Sequence, residues 1–324
     1  MSGYNGISDA PEVSMLEKPR ILQVGDLPPA AVEALAESFR IERSTEGRAG
    51  IRGIATSGKA PIDAALLQRM PDLSIVSCLG AGVEGVDVEA AAARGIEVAS
   101  TAHVLADDVA DIALGLVIAL ARDVRRADRF VRDGGWASGK YRLGTGLGGA
   151  RLGILGLGTI GARIARRAEA SGMIVGYHGR RRRADCACQY FADLAEMARW
   201  CRFLVVACPG GAATRHLVDS RVLEALGPES FLVNVARGSV VDETALAAAL
   251  ESERLAGAGL DVFEDEPHPL PALVASERTL LLPHIGSATH ETRAAMIRAM
   301  VEALRRRLVS SLLPGGEGGR EAAG

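Results

Sequence analysis

Apolar residues along this chain collect into short runs closed by glycine, serine or proline, with longer segments of helical spacing between them. In the first third, residues 21–24, 53–56, 73–78 and 96–99 read as strands, and 29–39, 61–70 and 88–93 as helices, the first opening on a proline. Residues 107–133 read as one long helix. Its acidic start (Asp107, Asp108, Asp111) and basic finish (Arg122, Arg125, Arg126, Arg129, Arg132) complement the helix dipole, and Gly134-Gly135 ends it. Residues 136–149 form a glycine-rich arm without a period. Strands follow at 152–155, 173–177, 203–207, 231–235, 257–263 and 279–282, with helices at 162–170, 192–200, 243–255 and 294–308. Strands alternating with helices predict parallel pairing and a layered α/β fold. Residues 1–18 and 314–324 read as loose, and no repeat of the solenoid kind is visible.

Composition adds bounds. A chain of 324 residues with 48% hydrophobic content fills more than one core, so two domains are expected: 106–290, and a discontinuous one made of 1–105 plus 291–324. A net charge of −3 gives no field for nucleic acid. Five cysteines (Cys78, Cys186, Cys188, Cys201, Cys208) lack a disulfide rhythm, which suits a reducing compartment. Cys186-Ala-Cys188 has no second ligand pair near it, so no metal site is expected. The apolar stretch 109–121 contains Asp111 and is shorter than the roughly 20 residues a bilayer span needs. With no apolar signal core in 1–18, the expectation is a cytoplasmic protein with no membrane partner.

The chemistry starts at Gly156, Gly158 and Gly161, a G-x-G-x-x-G between the strand at 152–155 and the helix behind it. That context makes it a dinucleotide turn: the first glycine bends tightly, the second admits a pyrophosphate, and the third lets helix and strand touch. The N–H groups opening the helix, at Thr159 and Ile160, face the phosphates. Ligands of such sheets bind beyond the carboxyl ends of the strands. Three charged groups stand there: Arg237 after 231–235, Glu266 after 257–263, and His284 after 279–282. A guanidinium can grip a carboxylate and polarise a carbonyl. An imidazole passes a proton near neutral pH, and a carboxylate beside it fixes its tautomer and favours its charged form. With a hydride from the cofactor, such a trio turns a ketone into an alcohol.

Four ordered motifs then carry a resemblance: Gly-Leu-Gly-Thr-Ile-Gly (156–161), Asn-Val-Ala-Arg-Gly-Ser-Val-Val-Asp (234–242), Gly-Leu-Asp-Val-Phe-Glu-Asp-Glu-Pro (259–267) and Pro-His-Ile-Gly-Ser-Ala-Thr (283–289). From about residue 20 to 308 the chain resembles the D-isomer-specific 2-hydroxyacid dehydrogenase family. Residues 105–111 and the Trp136 arm are most similar to its glyoxylate/hydroxypyruvate reductase branch. The resemblance implies a Rossmann-type doubly wound sheet for the cofactor and a flavodoxin-like α/β substrate domain, with a cleft between them that closes on binding. It implies Arg237, Glu266 and His284 as the catalytic trio. Along the cofactor it places Gly179, Cys208, Pro209, Thr214, Val235, Ala236 and Asp261, the last on the nicotinamide carboxamide. Around the substrate it places Leu79, Gly80, Ala81, Gly82 and Ser287, with Trp136 reaching a neighbouring subunit's cleft in a homodimer. Ala102 and Ala106 depart from the common Pro and Thr, which bears on the hinge and on substrate fit.

The strand at 173–177 ends in Tyr177-His178-Gly179-Arg180-Arg181-Arg182-Arg183, with no acid before Asp185. An acid there would select NAD by its ribose hydroxyl. Arg180 and Arg181 instead suit a 2′-phosphate, while Arg182 and Arg183 read as a solvated turn. NADPH is therefore the expected cofactor, with NADH possible, and a small 2-keto acid the expected substrate. Two alternatives remain: an NAD-dependent phosphoglycerate- or phosphite-type dehydrogenase, and a non-catalytic NAD(H)-sensing scaffold.

Overall fold

The computed structural model describes residues 18–44 and 49–309. The expectations for 1–17 and 314–324 fall outside the described residues. The first sheet holds β1 (Arg20–Val24), β2 (Arg40–Glu42), β3 (Ile51–Thr56), β4 (Ile75–Cys78) and β5 (Glu97–Ser100). Its strands are all parallel, in the order β2-β1-β3-β4-β5, joined through α1 (Pro29–Ala36), α2 (Ala64–Gln68) and α3 (Val88–Ala93). Two helices follow, α4 (Ala102–Ala121) and α5 (Val124–Arg132).

The second sheet holds β6 (Arg151–Leu155), β7 (Ile174–His178), β8 (Gln189–Phe191), β9 (Phe203–Val206), β10 (Phe231–Asn234), β11 (Gly257–Leu260) and β12 (Thr279–Leu281). It too is wholly parallel, in the order β12-β11-β10-β9-β6-β7-β8. Its connections are α6 (Thr159–Ala170), α7 (Leu194–Trp200), α8 (Ser220–Leu226), α9 (Glu243–Glu251) and α10 (Pro271–Ala275), and α11 (His290–Leu308) ends the described chain. Strands such as Phe203–Val206 and Phe231–Asn234 are buried throughout because helices cover both faces, which is why they read as unbroken apolar runs. In each sheet the strand order reverses once, between β1 and β3 and between β6 and β9, and those switch points are where such sheets bind ligands.

The chain passes between the sheets twice. Helix α4 leaves the first sheet after β5. Helix α11 returns, and its Met300, Val301, Leu304 and Leu308 pack with Ile21, Leu35, Phe39, Ala55 and Ile75. Thr289 joins the two crossings: its hydroxyl donates to Asp108 (2.6 Å) and accepts from the Thr292 N–H (3.1 Å), capping α11. Among the described residues no helix is long and apolar enough to cross a membrane.

The long helix expected over 107–133 is two. Asp123 takes a left-handed backbone (φ 53°), and its carboxylate accepts from Arg126 Nε (2.9 Å), Arg142 Nε (2.8 Å) and the Tyr141 hydroxyl. That tertiary cluster, not a local breaker residue, ends α4. Because α4 starts at Ala102, its acids lie beyond the first turn, where the dipole has faded. Asp107 and Asp111 instead pair with Arg167 of α6, at 3.1 and 2.6 Å. Strands β2 and β8, both three-residue edges, and the short helices α8 and α10 were not read from the pattern.

Candidate active site

The glycine turn follows β6 directly. Gly156 has φ 98°, and a Cβ there would lie 2.6 Å from Cys208 Cα at the end of β9. A Cβ on Gly161 would overlap the Gly156 carbonyl oxygen, whereas one on Gly158 would meet nothing within 4 Å. The first and third glycines thus pack the turn, and the second leaves room above it. No side chain caps α6, so its opening N–H groups remain available to an anion. These residues fit a dinucleotide pyrophosphate. Gly156, Gly158, Thr159, Ile160, Cys208, Pro209, Val235 and Ala236 line one cavity of about 450 Å³, with Ala81 and Gly82 across it. Thr214 lies just outside, its hydroxyl on the Pro209 carbonyl (2.8 Å).

Gly179, Arg180 and Arg181 follow β7, the neighbour of β6. Arg180 and Arg181 are exposed and make no ion pair or hydrogen bond among the described residues. Arg183, expected in a solvated turn, is anchored instead: Nη1 donates to the Leu157 carbonyl (2.7 Å) and Nε to Asp185 (2.9 Å). The glycine turn leaves that carbonyl without a backbone donor, and Arg183 supplies one.

The structure gathers Arg237, Glu266 and His284 from the ends of three adjacent strands, β10, β11 and β12, around a second cavity of about 500 Å³. Both oxygens of Glu266 lie 2.9 Å from His284 Nδ1. This leaves Nε2 as the nitrogen without a hydrogen bond among the described residues. Glu266 also meets the Phe263 N–H (3.3 Å) and Lys59 Nζ (3.2 Å). Burial alone would raise the Glu266 carboxyl. The hydrogen bond and charge of His284, with Lys59 behind them, hold it below its ordinary value. Its neighbour Glu264 is no loose acidic turn. Its N–H donates to the buried Glu243 (2.7 Å), and its carboxylate takes Arg215 (2.6 Å) and His216 (2.9 Å). Arg237 is placed by the buried Asn234, whose side chain bonds the Arg237 carbonyl (2.9 Å) and the Ala236 N–H (3.1 Å). The guanidinium donates from Nη1 to the Ala236 carbonyl (2.7 Å), and its Nε forms an ion pair with Glu84 Oε1 at 3.0 Å.

His284 has φ 54°, a strained backbone for a non-glycine residue. Asp261 holds it there from beneath, its two oxygens accepting the Ile285 N–H (2.7 Å) and the Gly286 N–H (2.8 Å). Burial pushes the Asp261 carboxyl above its ordinary value, against those two bonds. Asp261→Asn turns an acceptor into an amide that faces an N–H. It is expected to cost about 2–3 kcal/mol in urea unfolding and to lower kcat as the imidazole loses its seat. Unchanged stability would deny Asp261 this role.

On the first sheet, the Leu79 N–H donates to the Thr56 carbonyl (2.8 Å) and the Gly80 N–H to Thr101 Oγ1 (2.9 Å). The next two N–H groups, of Ala81 and Gly82, have no acceptor among the described residues. Ser287 is half-buried on the loop after Gly286, and Trp136 is 71% exposed; neither lines the two cavities. Lys59, Glu84, Asn234 and Gly238 are site residues that sequence reasoning did not single out. Lys59 and Glu84 meet partners more than a hundred residues away, which no local pattern announces. Asn234 and Gly238 lie inside a quoted motif but gave no sign of what they touch.

A dinucleotide turn and an imidazole–carboxylate couple, on two cavities that share Arg237, Glu84 and Gly210, mark an NAD(P)-dependent oxidoreductase. Residues 114–286 match the family described as D-isomer specific 2-hydroxyacid dehydrogenase, NAD binding domain, and the chain belongs to that family. It is 40% identical over 296 residues to the 2-ketogluconate reductase of Gluconobacter oxydans, covering 90% of this chain and 96% of that one. It is 44% identical over 254 residues to a glyoxylate/hydroxypyruvate reductase of Arabidopsis thaliana, covering 78% and 81%. Among solved structures it is similar to an NADPH-dependent glyoxylate/hydroxypyruvate reductase of Sinorhizobium meliloti, crystallised with NADP and malonate. That match has a TM-score of 0.81 at 42% identity, over 89% of this chain and 93% of that one.

Proposed function

We propose that this protein reduces small 2-keto acids of the glyoxylate and hydroxypyruvate class to D-2-hydroxy acids, with NADPH as the preferred reductant. The observation that carries the reading is the His284–Glu266 couple standing with Arg237 on one cavity, while Arg237, Glu84 and Gly210 also line the cavity of the glycine turn. The bound nicotinamide supplies the hydride. Arg237 and the free N–H groups of Ala81 and Gly82 take the substrate carboxylate, and the guanidinium polarises the neighbouring carbonyl. His284 delivers a proton from Nε2 to the carbonyl oxygen, while Glu266 on Nδ1 fixes the orientation of the ring. Asp261 keeps a spare lone pair on each oxygen for the carboxamide. In this reading residues 106–290 hold the cofactor, and 1–105 with 291–324 form the substrate side.

A homodimer built on α4, α5 and the 136–149 arm is part of the proposal. The exposure of Trp136 (71%) and Leu143 (98%) on that arm supports it, since such apolar side chains gain from a partner surface. All five cysteines are unpaired, in keeping with a reducing, cytoplasmic setting.

The preference for NADPH rests on the end of β7, where His178 stands in place of an acid and two unpaired arginines follow. A panel of 2-keto acids assayed with both cofactors tests the reading. NADPH is expected to exceed NADH in kcat/KM by about tenfold or more, and Arg180→Ala to remove most of that ratio, the worth of one charge-assisted phosphate bond. No turnover with any 2-keto acid would sink the proposal and favour a cofactor-sensing scaffold. Equal use of both cofactors, unmoved by Arg180→Ala, would sink only the cofactor half.

A further inference from the structure

We propose that Glu84 is an internal stand-in for the substrate carboxylate, so that a 2-keto acid reaches Arg237 only by displacing it. This rests on the reading of Arg237 as the carboxylate grip. Glu84 belongs to the loop after β4, two residues past Gly82, and Arg237 to the turn after β10; their ion pair therefore bridges the two sheets.

The competition follows from counting donors. A guanidinium offers five N–H groups in a fixed fork, and it grips a carboxylate best with two parallel ones. Nη1 of Arg237 is turned to the Ala236 carbonyl at 2.7 Å. One edge suited to bidentate binding is Nε with Nη2. Glu84 Oε1 lies 3.0 Å from Nε as its ion-pair partner. The other two ends of the pair converge on Gly82: a Cβ built there would overlap both Arg237 Nη2 and Glu84 Oε2. The Glu84 carboxylate thus fills the angle between the guanidinium and the loop whose Ala81 and Gly82 N–H groups lack acceptors. A substrate carboxylate needs that same angle. Both side chains of the pair are only partly exposed, so water screens their attraction incompletely. After displacement, Glu84 remains as a nearby like charge that opposes the bound acid.

Glu84 is accordingly a positioning residue that acts through Arg237 and sets how tightly the site takes an anion. Glu84→Gln keeps the shape and removes the charge, and Glu84→Ala removes the group. Each is expected to lower the KM for glyoxylate and the inhibition constant of malonate by about tenfold, while kcat changes less than KM. If Glu84 only braces Arg237, both constants rise instead; a rise, or no change in either variant, overturns the proposal. Should one variant fail to fold, seen as lost NADPH binding, the other gives the readout. Turnover and malonate competition in the wild-type protein test the underlying function separately. Their absence would end that reading, whereas their presence with unmoved constants in the variants would end only this one.

Discussion

Replacing His284 with alanine is expected to lower kcat for reduction by about 10²–10⁴-fold, the usual worth of a positioned acid, while NADPH binds as before. The substitution should be structurally mild. The loop is held by Asp261 through the backbone N–H groups of Ile285 and Gly286, which alanine at 284 leaves in place. Steady-state kinetics beside a fluorescence titration of NADPH would check both halves, and an alanine variant that kept its kcat would remove His284 from the chemistry. Glu266, held below the ordinary carboxylate value by His284 and Lys59, keeps its charge well to the acid side of neutrality. It therefore does not limit activity until the pH drops below that ordinary value.

Gly238→Ala is the second change with a large expected effect. A Cβ at this position would fall onto the Phe263 carbonyl carbon and the Glu264 nitrogen, which are backbone atoms with no rotamer to escape by. The turn that bears Arg237 and the loop that bears Glu266 lean on each other at this one point. Forcing them apart should cost about 3 kcal/mol or more, seen as a lower Tm. It should also cut kcat/KM by at least about 100-fold, the typical penalty for a misplaced constellation. A variant with wild-type Tm and kinetics would show that the two loops are not coupled there.

The second sheet was readable because its strands are buried on both faces. Residues 203–207 and 231–235 need no partner information to be seen as strands, and the glycine turn is a local device with a local spacing. The trio was readable for a related reason: each member lies on the loop after a parallel strand, and parallel pairing brings strand ends together. What stayed hidden depends on contacts across sequence. The break between α4 and α5 is set by Arg142 and Tyr141 reaching back to Asp123. Lys59 and Glu84 acquire meaning only when the first sheet's loops face the second sheet's. Asp261 was expected at the nicotinamide; the structure adds that it pins the His284 loop, a task that resides in main-chain amides and leaves no trace in side-chain spacing.

The return of α11 to the first sheet has a consequence for how the protein is made. Leu304 and Leu308 lie against Gly53 of β3, and Met300 shares a core with Ile21 and Ile75, so the earlier-translated sheet lacks one wall until α11 has followed it. The nucleotide-binding sheet, complete by β12, can close while its elder neighbour waits. A stop codon near position 290 would leave the amino-terminal strands with their apolar underside bare.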